Sequence, residues 1–187
     1  GYILKPTNFD PSKRYPVVMS QYSGPGSQSV LDKWTIDWEY YLVSKGFIVA
    51  CVDGRGTGGR SRAYETSVYM QLGKLETEDQ VAGAEYMRTL PYVDDKHIGI
   101  YGWSYGGYET LMAMSTSNGT YQAGVAIAPV TDWRYYDTIY AERFMRTPNE
   151  NNEGYEQSAP ITHAEKLKGD LLIISGTADD NVHYLNT

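Results

Sequence analysis

Five apolar runs of strand length recur along the chain: YPVVMSQY (15–22), GFIVACVD (46–53), HIGIYGW (97–103), AGVAIAPV (123–130) and LLIISG (171–176). They are nearly continuous rather than alternating, the pattern of strands covered on both faces. Helical periodicities fall between them. In SVLDKWTIDWEYYLVSKG, Val30, Trp34, Trp38, Tyr41 and Leu42 recur at three- and four-residue steps, with Ser29 as a cap and Gly46 as a stop. TEDQVAGAEYMRTLP opens with Thr77 and Gln80 at capping-box spacing and sets Glu78 and Asp79 in the first turn; Val81, Ala84, Met87 and Leu90 form one face, and Pro91 ends it. Residues 106–117 read as a further helix. Strands alternating with helices specify a mostly parallel, doubly covered α/β sheet, in which ligands bind beyond the carboxyl ends of the strands. The polar stretch 147–158 reads as a surface excursion.

A chain of 187 residues suits one domain or part of a larger one. Its net charge of −7 argues against a nucleic-acid surface, which needs clustered Lys and Arg. No apolar run approaches the roughly 20 residues that span a bilayer. No set of His, Cys, Asp and Glu has metal-ligand spacing, and no cofactor is expected. Cys51, alone in its apolar run, reads as a buried strand residue. The 18 tyrosines stand out, because tyrosine joins an apolar ring to a polar tip and suits half-buried ligand sites.

The motif with the sharpest chemical meaning is GWSYG, residues 102–106. It fits GxSxG, the nucleophile elbow, and stands between a strand pattern and a helix pattern as that motif requires. Gly102 and Gly106 let strand and helix approach, Ser104 is lifted above the sheet at a helix N-terminus, and the Tyr105 amide is left free to donate to an oxyanion. A serine nucleophile needs a base oriented by a carboxylate, and on such a sheet the chain order is Ser, acid, His. Asp179 and Asp180, just past the strand in IISGTADDNVH, are both placed to be that acid. The three histidines fail on position: His97 precedes the elbow strand, His163 precedes the acid-bearing strand, and His183 follows the acid pair too closely to reach back.

Two further patterns carry competing meanings. Gly54, Gly56 and Gly59 satisfy GxGxxG, but RSRAYET does not open as an apolar-faced helix, so a flexible strand-end loop is the better account than a dinucleotide site. In APVTDWRYYDTIYAERF, Trp133, Tyr136, Tyr140 and Phe144 step by three, four and four and would share one helical face. That stripe reads either as packed core or as a ring-lined pocket beside Ser104.

Taken in order and over nearly the whole chain, GWSYGGY, APVTDWRYYDTIYAERF, GTADDNVH and YSGPGSQ resemble the prolyl oligopeptidase family of serine peptidases, in its dipeptidyl peptidase branch. VDGRGTGGR is similar to that family's loop at the same place. The resemblance implies an α/β-hydrolase fold with Ser104 as nucleophile, Asp179 as triad acid and Tyr22 as a hydroxyl donor to the oxyanion beside the Tyr105 amide. It implies a proline pocket from Tyr105, Val130, Trp133, Tyr136, Tyr140 and Val182, with Asn181 contacting the substrate carbonyl one residue before the proline position. The activity implied is release of N-terminal dipeptides with Pro or Ala in the penultimate position, through an acyl-enzyme. Peptides would be the substrates, the full-length protein would be a homodimer, and the compartment would be extracytoplasmic.

The same resemblance puts the triad histidine after Thr187 and assigns grip on the substrate amine to a β-propeller domain outside these residues. The expectation is therefore a partial, C-terminally truncated α/β-hydrolase domain over 1–187, inactive by itself and exposing an apolar sheet edge that promotes self-association. The alternatives are a tripeptidyl or acylaminoacyl peptidase of the same family, or a non-catalytic interaction module.

Overall fold

A computed structural model describes residues 1–187. Six strands form one sheet: β1 (Tyr2–Leu4), β2 (Tyr15–Ser20), β3 (Ile48–Cys51), β4 (Val93–Trp103), β5 (Ala123–Ile127) and β6 (Asp170–Ile174), in the order β1-β3-β2-β4-β5-β6. All neighbours are parallel except β1, which runs antiparallel to β3. Its three residues carry too little pattern to be read from sequence. The five longer strands fall within or across the five apolar runs.

Helices α1 (Glu39–Ser44), α2 (Arg62–Glu65), α3 (Lys74–Arg88), α4 (Tyr105–Thr116), α5 (Thr138–Met145) and α6 (Asn152–Gln157) connect them. Ala84 and Met87 of α3 and Ala113 and Met114 of α4 share a core with Val17, Met19, Ile48, Ala50, Ile98 and Ile100, so both long helices pack on one face of the sheet. Tyr101 points to the other face, as strand alternation requires, and meets Trp38 at 4.4 Å. All four residues of β3 are buried, whereas Leu172, Ile173 and Ile174 of β6 are exposed. The expectation of cover on both faces thus holds at the sheet centre and not at β6, whose outer edge has no neighbouring strand.

Three local readings are corrected. The helix expected from Ser29 to Gly46 is confined to α1; Trp34 is 82% exposed, and residues 30–37 are irregular. The Asp53 carboxylate accepts the backbone N–H groups of Ser29 and Val30, holding that stretch against the end of β3 instead of in a helix. α3 starts one turn before the capping-box pair, at Gly73 with φ of 80°, where a Cβ would lie 2.2 Å from the Tyr108 hydroxyl. Thr77 and Gln80 are instead buried: Thr77 donates to Glu109, and Gln80 donates to Val52 O and Ser23. The 147–158 stretch is not a bare excursion, since α6 buries Tyr155 and Asn151 ties it to Met70 O and Met145 O.

The glycine-rich loop after β3 is likewise pinned rather than free. Asp79 accepts the Arg55 backbone N–H at 2.6 Å and its guanidinium at 2.7 Å, while Gly26 N–H donates to Gly56 O and Gly58 N–H to Ser27 O, tying the loop to the 24–27 turn. No apolar-faced helix follows it, so the phosphate-loop reading has no structural partner.

Candidate active site

β4 runs straight into α4, and the junction is Ser104, at φ 58° and ψ −116°. A side chain in that region is strained, and here the neighbours impose it. A Cβ on Gly102 would stand 2.2 Å from Gly106 O, one on Gly106 would stand 2.5 Å from Gln21 O, and one on Gly107 would stand 2.5 Å from Ile127 O. Only glycine fits three such approaches, which is the physical content of the elbow. The Ser104 amide donates to Ile127 O at 2.8 Å and its carbonyl accepts from Tyr108 N–H at 3.0 Å. Gln21 braces the turn from behind, donating to Gly106 O at 2.8 Å and to Thr110 at 3.2 Å.

The next amide, that of Tyr105, is the first of α4 and donates to no group in the chain. It lies at the positive end of a twelve-residue helix. A free amide directly after a half-buried serine is the arrangement that can receive developing negative charge on a carbonyl oxygen.

Aromatic rings close around this point. Tyr105 lies 5.1 Å from Tyr108, 5.5 Å from Trp133 and 6.1 Å from Tyr22, centroid to centroid. Trp133 stacks on Tyr140 at 5.8 Å, and Tyr136 meets both edge-on. Val130 and Val182 are buried in the same cluster. The rings expected on one helical face do not share a helix. Trp133 begins a short 3-10 turn capped by Asp132, Tyr136 is extended, and a second cap at Asp137 restarts the chain as α5. The cluster forms nonetheless, because the two caps bend the chain around it. Burial drives the phenols of Tyr105, Tyr108 and Tyr140 well above the ordinary tyrosine range, so they are fixed as neutral hydroxyls.

On the loop after β6, one carboxylate oxygen of Asp179 accepts the N–H groups of Asn181 and Val182, each at 3.0 Å. Asp179 is half-buried and Asp180 exposed, a difference that position along the chain did not show. Asn181 Oδ1 accepts the Tyr136 hydroxyl at 2.9 Å, joining this loop to the ring cluster. Ten expected site residues thus fall into one region at the carboxyl ends of β2, β4, β5 and β6, with Tyr22 entering from the β2 end beside Tyr105. None of the three histidines is hydrogen-bonded to Ser104 or Asp179: His97 pairs with Asp94, His163 with Gln157 O, and His183 accepts from Leu185 N–H.

Two residues of this region escaped the sequence. Glu76, in the first turn of α3, accepts the Tyr105 hydroxyl at 2.8 Å, and Glu109 of α4 accepts from Thr77; both are fully buried. Burial is the main cause that lifts the Glu76 carboxyl to about 7, and it also raises that of Glu109 well above the ordinary carboxylate range. The only signal was a glutamate inside the otherwise apolar YETLMAM, since Glu76 lies among charged residues that look like a solvated face.

Comparison with known proteins places this geometry. Residues 34–187 match the model of the prolyl oligopeptidase family. A crystal structure of dipeptidyl peptidase 4 from Porphyromonas gingivalis superposes with a TM-score of 0.97 at 60% identity, covering 98% of this chain and 26% of that one. Proteins named "Probable dipeptidyl-aminopeptidase B" from Ajellomyces capsulatus and Metarhizium robertsii are 49% and 46% identical over 187 residues, 98% of this chain and 20% of each relative. The chain spans about a fifth of the length of the curated relatives it matches. The sheet and its helices have the α/β-hydrolase fold of these peptidases.

Proposed function

This chain belongs to the prolyl oligopeptidase family, and on that footing we propose that the protein is a serine dipeptidyl peptidase that removes N-terminal dipeptides ending in Pro or Ala. The observation that carries the reading is the strained Ser104 between backbone-tight glycines, with the unengaged Tyr105 amide beside it and a packed cluster of aromatic rings adjoining. Ser104 Oγ attacks the carbonyl carbon of the bond after the second residue as a histidine base takes its proton. The tetrahedral oxyanion is received by the Tyr105 N–H and the Tyr22 hydroxyl. Collapse expels the amine of the remaining peptide, protonated by the same base, and leaves an ester on Ser104 that water then hydrolyses.

Asp179 is the acid that orients the base, since the Asn181 and Val182 amides fix one of its oxygens and leave the other available. None of the three histidines here bonds to Ser104 or Asp179, which supports assigning the base to a histidine elsewhere in the full-length protein. The slot of Tyr105, Val130, Trp133, Tyr136, Tyr140 and Val182 favours a pyrrolidine ring, whose flat faces pack on aromatic faces at little entropic cost. Asn181, held by Tyr136, is aligned to donate its side-chain amide to the carbonyl one residue earlier.

The full-length protein is expected to hydrolyse Gly-Pro p-nitroanilide and to lose this on Ser104→Ala, while residues 1–187 alone are inactive. Tyr22→Phe is expected to lower kcat by about 100-fold with little change in KM, the usual cost of one oxyanion donor. Faster release from a tripeptide or an acylated substrate than from Gly-Pro would reassign the specificity within the family.

A further inference from the structure

The buried face of α3 is polar where it meets the elbow, and each polar side chain there reaches the Ser104 region. Thr77 donates to Glu109 of α4. Gln80 donates to Ser23, which donates to Gln21, which braces Gly106. Glu76 reaches closest to the chemistry, because its Oε1 accepts the hydroxyl of Tyr105, the residue that follows the nucleophile.

The backbone N–H groups of Gly73 and Glu76 at the start of α3 favour the Glu76 carboxylate, but they do not offset its burial. Glu76 is fully buried, its Oε2 has no hydrogen-bond partner, and no Lys or Arg bonds to it. The groups facing it are Asp79 on its own helix, Glu109, Tyr105 and Tyr108 on α4, and Tyr140 on α5; none is cationic. Arg55, which reaches the same helix, is engaged by Glu78 and Asp79. A carboxyl in such a place is costly, because burial disfavours its charge and no cation pairs with it. Its one hydrogen bond to another side chain goes to a ring wedged between Tyr22, Tyr108 and Trp133.

We propose that Glu76 is a positioning residue for the Ser104 site, acting through the Tyr105 hydroxyl to hold one ring wall of the slot and the amide beside the nucleophile in register with α3. The inference rests on the dipeptidyl peptidase reading. Tyr105 carries two functions on one residue, slot wall and backbone donor, and a tether at the far tip of its side chain restrains both. Glutamate supplies an acceptor at the required reach; leucine fills the space and supplies none.

The test uses full-length protein, Gly-Pro p-nitroanilide as substrate, and titration of Ser104 with a fluorophosphonate so that rates are counted per reactive serine. Glu76→Leu is expected to lower kcat/KM per titrated serine at least tenfold, with KM raised and kcat lowered, and Glu76→Gln, which keeps an oxygen acceptor, to recover most of that loss. Tyr105→Phe, which keeps the ring, is expected to lose a similar factor, and the double variant Glu76→Leu/Tyr105→Phe to stay within about twofold of the worse single one, because both remove the same bond. Wild-type kinetics in Glu76→Leu or in Tyr105→Phe, multiplied losses in the double variant, or equal damage from Gln and Leu overturns the proposal. Should Glu76→Leu not fold, Tyr105→Phe and Glu76→Gln decide it alone. Wild-type protein that leaves the substrate untouched sinks the dipeptidyl peptidase reading and the positioning role with it, whereas active wild type with an indifferent Glu76→Leu sinks only the latter.

Discussion

Two stretches carry the apolar spacing of a helix and end differently. Residues 105–116 form α4 with nearly every residue buried, whereas in 29–46 only the last six helical residues, 39–44, wind up, and Trp34 and Ile36 stand in solvent. The difference lies in what each backbone meets. At α4 the glycines let strand, helix and neighbouring loop touch, so the helix starts where Ser104 forces it to. At 29–30 a side chain from another strand end, Asp53, takes the backbone N–H groups that a helix start would leave unpaired, and the chain stays open. Periodicity reports which face would be buried if a helix formed, and long-range hydrogen bonds decide whether it does.

The strongest way to break this contrast is at the glycines. Gly106→Ala sets a Cβ 2.5 Å from Gln21 O, a backbone atom that cannot swing aside. It is expected to destabilise the protein by about 3 kcal/mol or more in denaturant unfolding. A loss below about 1 kcal/mol would mean that the elbow is looser than the contacts imply.

Next comes the pH dependence of the same helix pair. Burial raises the folded-state pKa of Glu76 to about 7, above the ordinary carboxyl value, so the folded protein holds a proton that the unfolded chain releases at lower pH. Its contribution is fully present below the unfolded pKa and is lost as pH rises through about 7, and the raised carboxyl of Glu109 acts in the same direction. Unfolding free energy should fall with rising pH over this window, by up to about 3 kcal/mol from Glu76. Glu76→Gln should flatten the slope; an unchanged slope would show that the carboxyl is solvated.

The smallest effect is expected in the other stretch. Asp53→Ala removes the acceptor for Ser29 and Val30 N–H and should cost about 1 kcal/mol. Amide hydrogen exchange should then quicken within residues 27–38 and stay unchanged in α4. Equal quickening in both would merge the two regions into one cooperative unit.

The strand runs, the single sheet and the elbow could be read from residues because each is a local pattern: continuous apolar stretches, small residues at a strand end, a serine between them. The ring cluster was half readable. The stripe from Trp133 to Phe144 read as packed core or as pocket, and the rings do pack together, yet its single-helix geometry failed because Asp132 and Asp137 cap two separate turns, a use of aspartate that spacing of rings does not reveal. Spacing left Asp179 and Asp180 open and the family resemblance picked Asp179, while Glu76 needed a partner 29 positions along the chain. Such features depend on contacts between distant segments, and composition around them looked like ordinary surface.

The claim on which the rest depends is that the strained turn makes Ser104 a nucleophile. Fluorophosphonate labelling of the full-length protein, followed by peptide mapping, measures this directly. The expected result is one stoichiometric adduct on Ser104, absent in Ser104→Ala and blocked by a slowly hydrolysed Xaa-Pro ligand. An adduct on a different serine in active enzyme, or undiminished peptide hydrolysis by Ser104→Ala, would contradict it.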